Sequence, residues 1–266
     1  MIKIVILLIA LLTISCFEPS RLRQESSPFP QIEYSVKLDS NPLTEYQYVD
    51  RARQKSTNGD KAGAIEDYSR AIMVDSMYDV AYYNRAIVKT YLGDYIGAIK
   101  DFTKVLQLGQ PELELEAYCA RGNAKSELDD IKGALADYAI AIELRPDFVE
   151  AYLSRATVKY DIGDLEGAIE DCRLAIKNCS PNANIYNNLG LALYELKRFN
   201  ESAQAYGEGI KYFPKDYKLY YGRGLARNQS GDKKGACEDW RKSSALGYFA
   251  ANALLPLCED CEANEK

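Results

Sequence analysis

The sequence predicts an all-α protein, an α-solenoid of six helix-turn-helix repeats with a C-terminal capping helix, and three observations carry that prediction. Tyr48, Tyr82, Tyr118, Tyr152, Tyr186 and Tyr220 are separated by 34, 36, 34, 34 and 34 residues, and four residues after each stands a small one: Ala52, Ala86, Gly122, Ala156, Gly190 and Gly224. A second series, Ala64, Ala98, Ala134, Ala168, Ser202 and Ala236, is followed four residues later by Tyr68, Phe102, Tyr138, Cys172, Tyr206 and Trp240. Spacings of three and four place each set on one face of a helix. Between the two series lies a turn signal: Gly59-Asp60, Gly93-Asp94, Asp129-Asp130, Gly163-Asp164 and Gly231-Asp232, with Lys197-Arg198 as the exception. Glycine closes a helix in the left-handed conformation, and aspartate favours the start of the next.

Composition bounds the chemistry. The chain has 266 residues, 47% hydrophobic and 27% charged, with 17 Gly and 9 Pro, which is globular composition. Histidine is absent, so Ser-His-Asp triads, Cys-His pairs and His-ligated metals are excluded. A net charge of −6 argues against nucleic acid as a partner, because binding phosphates non-specifically needs a cationic surface.

At the N-terminus, Lys3 precedes an apolar run from Ile4 to Leu12, followed by Thr13-Ile14-Ser15-Cys16. A bilayer span needs about 20 apolar residues, so this run has the form of a secretory signal instead. The stretch Leu-Thr-Ile-Ser-Cys resembles the bacterial lipobox, in which cleavage exposes a cysteine carrying diacylglycerol. That resemblance implies a signal peptide over 1–15, lipidation at Cys16 and a membrane anchor there. A simple secretory signal with an incidental Cys16, or an uncleaved anchor, are the alternatives. Residues 16–44 lose the periodicity and are interspersed with Pro19, Pro28, Pro30, Pro42 and several serines. They read as a flexible tether with a reach of roughly 30 Å.

The repeats follow at 45–78, 79–112, 115–148, 149–182, 183–216 and 217–250. Pro111, Pro146, Pro181 and Pro214 end four of the second helices, since proline cannot continue an interior turn. The first copy lacks this proline, and the third is preceded by a two-residue insertion around Gln110 to Leu113. The period, the hairpin and the placement of Tyr, small, Ala, aromatic and Pro residues resemble the tetratricopeptide repeat over about residues 45–250. The resemblance implies a right-handed solenoid whose first helices line a concave groove. The apolar stretch Tyr248 to Leu255 then supplies the cap, placed within 248–262, and Pro256 is expected to end or kink it.

A charge pattern accompanies the period. Sixteen residues separate Arg51 from Asp67, Arg85 from Asp101, Arg121 from Asp137, Arg155 from Asp171 and Arg223 from Asp239; the fifth copy has Leu189 and Ala205. Both partners are lost together, so the expectation is an ion pair inside each repeat. Pairing between successive repeats would leave two orphans. The role is structural, because such carboxylates march along the array instead of converging.

Seven cysteines are present. If the cap runs back antiparallel to the helix from Lys233 to Ala245, Cys237 comes opposite the region of Cys258, so a Cys237–Cys258 disulfide is expected, with Cys261 as the substitute partner. No metal-ligand cluster, phosphate loop or isolated carboxylate pair stands outside the repeats, so no cofactor, no metal, no small-molecule substrate and no enzymatic activity are expected.

The groove is the expected site. Positions one past each repeat tyrosine, then four and seven further, include Tyr83, Ile87, Asn123, Leu153, Tyr160, Asn187, Leu191, Tyr194 and Tyr221. The set is apolar, aromatic or neutral polar, suited to a peptide or helix held by aromatic anchors. The alternative is that neighbouring repeats bury these side chains. The basic clamp that related chaperone adaptors use is not matched. The expectation is an exported, lipid-anchored scaffold or adaptor at the bacterial cell envelope, at the outer membrane, binding a protein or peptide. The alternative is a fixed subunit of a secretion, pilus or outer-membrane assembly machine.

Overall fold

The computed structural model describes residues 43–258. Cys16, the signal segment 1–15, the tether up to residue 42, Cys261 and the cap beyond 258 lie outside them. The described chain forms twelve α-helices and a short 3₁₀ helix, with no strand among the described residues. The helices are α1 Glu45–Thr57, α2 Lys61–Val74, α3 Asp79–Tyr91, α4 Tyr95–Leu108, α5 Pro111–Ser126, α6 Ile131–Leu144, α7 Val149–Asp161, α8 Leu165–Asn178, α9 Ala183–Glu195, α10 Phe199–Tyr212, α11 Tyr217–Ser230 and α12 Lys233–Ala245, and the 3₁₀ helix is Phe249–Leu254.

Each hairpin is closed by local chemistry. Gly59, Gly93, Gly163 and Gly231 take positive φ between first and second helices, and Asp129 and Lys197 do the same with φ of 60°. In five copies the next aspartate caps the second helix: Asp60, Asp94, Asp130, Asp164 and Asp232 each accept the backbone N–H three residues on. That N–H belongs to a glycine every time, and a Cβ there would collide with the capping carboxylate. The fifth copy again departs, with Arg198 at the cap and no side-chain acceptor.

Inside each hairpin the small residue of the first helix faces the bulky residue of the second. A Cβ on Gly122 would lie 2.7 Å from the Tyr138 ring. Gly190 and Gly224 accommodate the rings of Tyr206 and Trp240 in the same way. These contacts, with Ala64, Phe102, Ile169 and Leu193, form a core that runs from repeat to repeat.

Two details differ from expectation. Pro111 does not follow α4 as a terminator but opens α5, because α4 is closed by Gly109 at φ 69° and the first turn of a helix needs no N–H from its own residue. The insertion is absorbed as a longer first helix of 16 residues. The cap is only a short 3₁₀ helix over Phe249–Leu254; it closes before Pro256 as expected, and Pro256 then opens a further helical turn.

Equivalent helices of successive repeats meet along one side only. α1, α3, α5, α7, α9 and α11 each touch the next in that series, so the first helices sit at the smaller radius and line the concave face. Among the described residues, no helix is long and apolar enough to cross a membrane.

Candidate functional site

The charged ladder is the frame on which the concave face is built. Arg51, Arg85, Arg121, Arg155 and Arg223 each grip the aspartate of the same repeat through two parallel hydrogen bonds. Asp67 is held at 2.7 and 2.7 Å, Asp101 at 2.8 and 2.7, Asp137 at 2.8 and 2.7, Asp171 at 2.9 and 2.7, and Asp239 at 2.9 and 2.6. This fork geometry is the strongest form of the interaction. All five aspartates are buried.

A second cation completes each site. Lys55, Lys89, Lys125, Lys159 and Arg227, one helical turn after the first arginine, reach the same carboxylates at 2.8 to 3.0 Å. Each first arginine also lies over its repeat's tyrosine ring, as Arg51 over Tyr48 at 5.2 Å. Burial pushes the Asp67 carboxyl up, but hydrogen bonds and charge from Arg51 and Lys55 outweigh it and hold the group below its ordinary value. The second cation was overlooked in the spacing, although the fifth copy carries its signal. There Leu189, Leu193 and Ala205 replace all three charges and are buried in one apolar cluster. The ladder therefore neutralises itself, and its carboxylates are closed to a substrate.

The groove residues divide into three groups. Ile87 is 43% exposed, and Asn123 is exposed while accepting the Tyr138 hydroxyl at 2.8 Å. Tyr83, Leu153, Tyr160, Asn187, Leu191 and Tyr194 are half-buried. Tyr221 does not belong to the groove: it is 5% exposed, with the Tyr248 ring edge-on at 4.9 Å, because the C-terminal 3₁₀ segment folds over the last first helix. Half-burial of the tyrosines has a cause in the stacking. Tyr160 bonds to Glu195 and Tyr194 to Gln229, each on the next repeat's first helix, while Tyr83 packs on Phe102 with centroids 5.7 Å apart. Burial pushes all three phenols above their ordinary value.

An open trough of about 380 Å³ lies on this face, between α3, α5 and α7. Tyr83, Cys119, Phe148 and Leu153 line it, with Asn123, Ser154 and the carboxylates of Glu116 and Glu150. The two glutamates stand three residues before Cys119 and Leu153, hence on the same helical face, a position that counting forward from the tyrosines passes over. A larger hollow of about 690 Å³ lies along α8. Three of its charges are already engaged: Lys159 on Asp171, Glu166 on Arg198 and Arg173 on Glu201. Among the described residues no group of three or more metal-ligating side chains gathers.

Two family profiles described as tetratricopeptide repeat match residues 119–183 and 183–216. No curated protein matches the sequence. Among solved structures, the chain is similar to the C-terminal part of a TPR repeat-containing protein from Cytophaga hutchinsonii, with a TM-score of 0.65 and 18% identity over 74% of this chain and 78% of that one. It is also similar to a tetratricopeptide repeat protein from Parabacteroides merdae, at 0.59 and 17% over 80% and 98%. A thermophilic TPR protein from Thermus thermophilus follows at 0.51 and 19% over 68% and 98%. At these identities the likeness is one of fold. One match coincides with the fifth repeat and the other runs through the third and fourth, in line with the period and the paired helices, so the chain is a tetratricopeptide repeat protein, and an array of this kind is a protein-interaction scaffold.

Proposed function

We propose that the chain is an exported, lipid-anchored adaptor of the bacterial cell envelope, at the outer membrane, that holds a protein or peptide segment on its concave face. The observation that carries the binding role is that face itself. Beside the carboxylates of Glu116 and Glu150 it presents Tyr83, Ile87, Leu153 and Leu191 with part of their surface accessible. The Cys237–Cys258 disulfide supports export, since such bonds persist in oxidising compartments. The Cytophaga, Parabacteroides and Thermus relatives in fold support a bacterial setting.

Two experiments test this. A photo-crosslinking amino acid at Leu153 captures a partner in cells, and Leu191→Asp lowers that capture at least tenfold without moving the thermal midpoint. Capture that is indifferent to Leu191 would remove the groove. For the anchor, Cys16→Ala shifts the protein from the membrane fraction to the soluble fraction, with a precursor or differently processed form. Unchanged fractionation in carbonate-washed membranes, which strip bound partners, would defeat lipidation.

One observation favours the fixed-subunit reading as a second possibility. Met73, Val74 and Met77 are 58%, 48% and 62% exposed at the edge of the first repeat, an apolar strip suited to a permanent neighbour.

A further inference from the structure

The trough between α3, α5 and α7 is apolar on its walls and negative at one side. Tyr83, Phe148 and Leu153 supply the apolar surface; Glu116 and Glu150 supply two carboxylates, and no lysine or arginine lines it. The contrast with the rest of the array decides how to read them. Every buried aspartate of the ladder is met by two cations, whereas among the described residues the ion pairs include neither Glu116 nor Glu150. The Oε2 of Glu116 is also buried without any hydrogen-bond donor. A buried acceptor left in that condition is costly, and the rest of the half-buried Glu116 side chain borders the trough together with the exposed Glu150, where a cation can reach both. Cys119, beside it, adds no charge at neutral pH, because burial pushes its thiol up to about 11.

The feature is local. The position held by Glu116 and Glu150 is Tyr46 in the first repeat, Val80 in the second, Asn184 in the fifth and Lys218 in the sixth. A volume of about 380 Å³ is that of one or two side chains. A lysine or arginine stem can lie on the apolar wall while its head meets the carboxylates.

We propose that this trough is a subsite for a lysine or arginine side chain next to an apolar one, in a protein segment bound along the concave face. The proposal rests on the groove reading above and specifies the chemistry of its occupant: a cationic, apolar segment. The ammonium or guanidinium pairs with the Glu116 and Glu150 carboxylates where they border the trough, and the neighbouring apolar side chain lies between Tyr83 and Leu153.

The test uses the full chain in zwitterionic nanodiscs, with empty discs as the blank. Fluorescein-labelled twelve-residue peptides alternate Leu with Lys, with Gln or with Glu, and anisotropy reads binding. The expected order is Lys at least tenfold tighter than Gln, and Glu weakest, with the preference shrinking as salt rises. Glu116→Gln with Glu150→Gln, isosteric and checked for unchanged circular dichroism, abolishes the preference while leaving the Gln peptide where it was. Equal binding of the Lys and Gln peptides overturns the proposal, as does a preference that survives the double substitution. Self-association seen by sedimentation and lost in the double variant, with no Lys preference, would make a second copy the occupant and overturn it too. The readings separate through the partner crosslink at Leu153. If it depends on Leu191 but not on the two glutamates, the groove stands and the cationic subsite falls; if it depends on neither, both fall.

Discussion

Asp171→Ala destabilises the array by about 3–5 kcal/mol, as expected when one partner of a buried charge cluster is removed and the others stay behind. Asp171 is 1% exposed and is the shared acceptor of Arg155 and Lys159, both mostly covered. Without it two cations face each other across one vacated site. The fifth repeat shows how the same space is filled without charge, by Leu189, Leu193 and Ala205. Copying that solution as Arg155→Leu, Lys159→Leu and Asp171→Ala together is expected to cost less than half as much as Asp171→Ala alone. Burying well-packed apolar groups in place of a charge cluster is often neutral. Chemical denaturation followed by circular dichroism measures both. A triple variant at least as unstable as the single one would mean that the charges themselves stabilise the repeat beyond what packing can replace.

Removing the C-terminal disulfide as Cys237→Ser with Cys258→Ser costs about 3 kcal/mol in the chain-entropy account of closing a loop of this length. The two cysteines are 21 residues apart in sequence, with Cα atoms 5.6 Å apart. The loss is expected to be confined at first to the last repeat. An array of repeats unfolds by nearest-neighbour steps, so a destabilised end can fray before the middle does. Trp240, the one tryptophan in the sequence, is buried in the same cluster as both cysteines and reports on this region alone. In the variant its fluorescence transition is expected to precede the loss of helix, whereas in the oxidised parent the two coincide more closely. Coincident transitions with an unchanged midpoint in the variant would mean that the cap is held by Ala251, Leu254 and Tyr248 packing without help from the bond.

The aromatic lid also changes what the groove can present. Tyr248 stacks on Tyr217 at 5.0 Å and meets Tyr221 edge-on, so the last repeat is closed where the middle repeats are open. The accessible apolar positions of the groove are thereby confined to repeats two to five. The half-buried Tyr160 and Tyr194 stitch successive first helices together, so Ala substitution there tests stacking as much as recognition.

The amino-acid sequence by itself determined the architecture, where five of the six hairpins start and the partner of each ladder arginine; the third hairpin starts earlier, at Pro111. A linear array makes almost all its contacts within a repeat or with the next one, so residue spacing maps directly onto contact, and the altered fifth copy serves as an internal control. Spacing also offered Cys258 as the partner of Cys237, with Cys261 as the substitute, and the tertiary structure has the Cys237–Cys258 bond. Only the tertiary structure decided which first-helix side chains are covered. Tyr221 and Tyr83 occupy the same position of the period, yet one lies beneath Tyr248 and the other borders an open trough. The isolation of Glu116 was likewise invisible in the pattern. Burial and missing partners depend on how far each repeat is rotated against its neighbours and on what folds over the end, and one-dimensional periodicity contains neither.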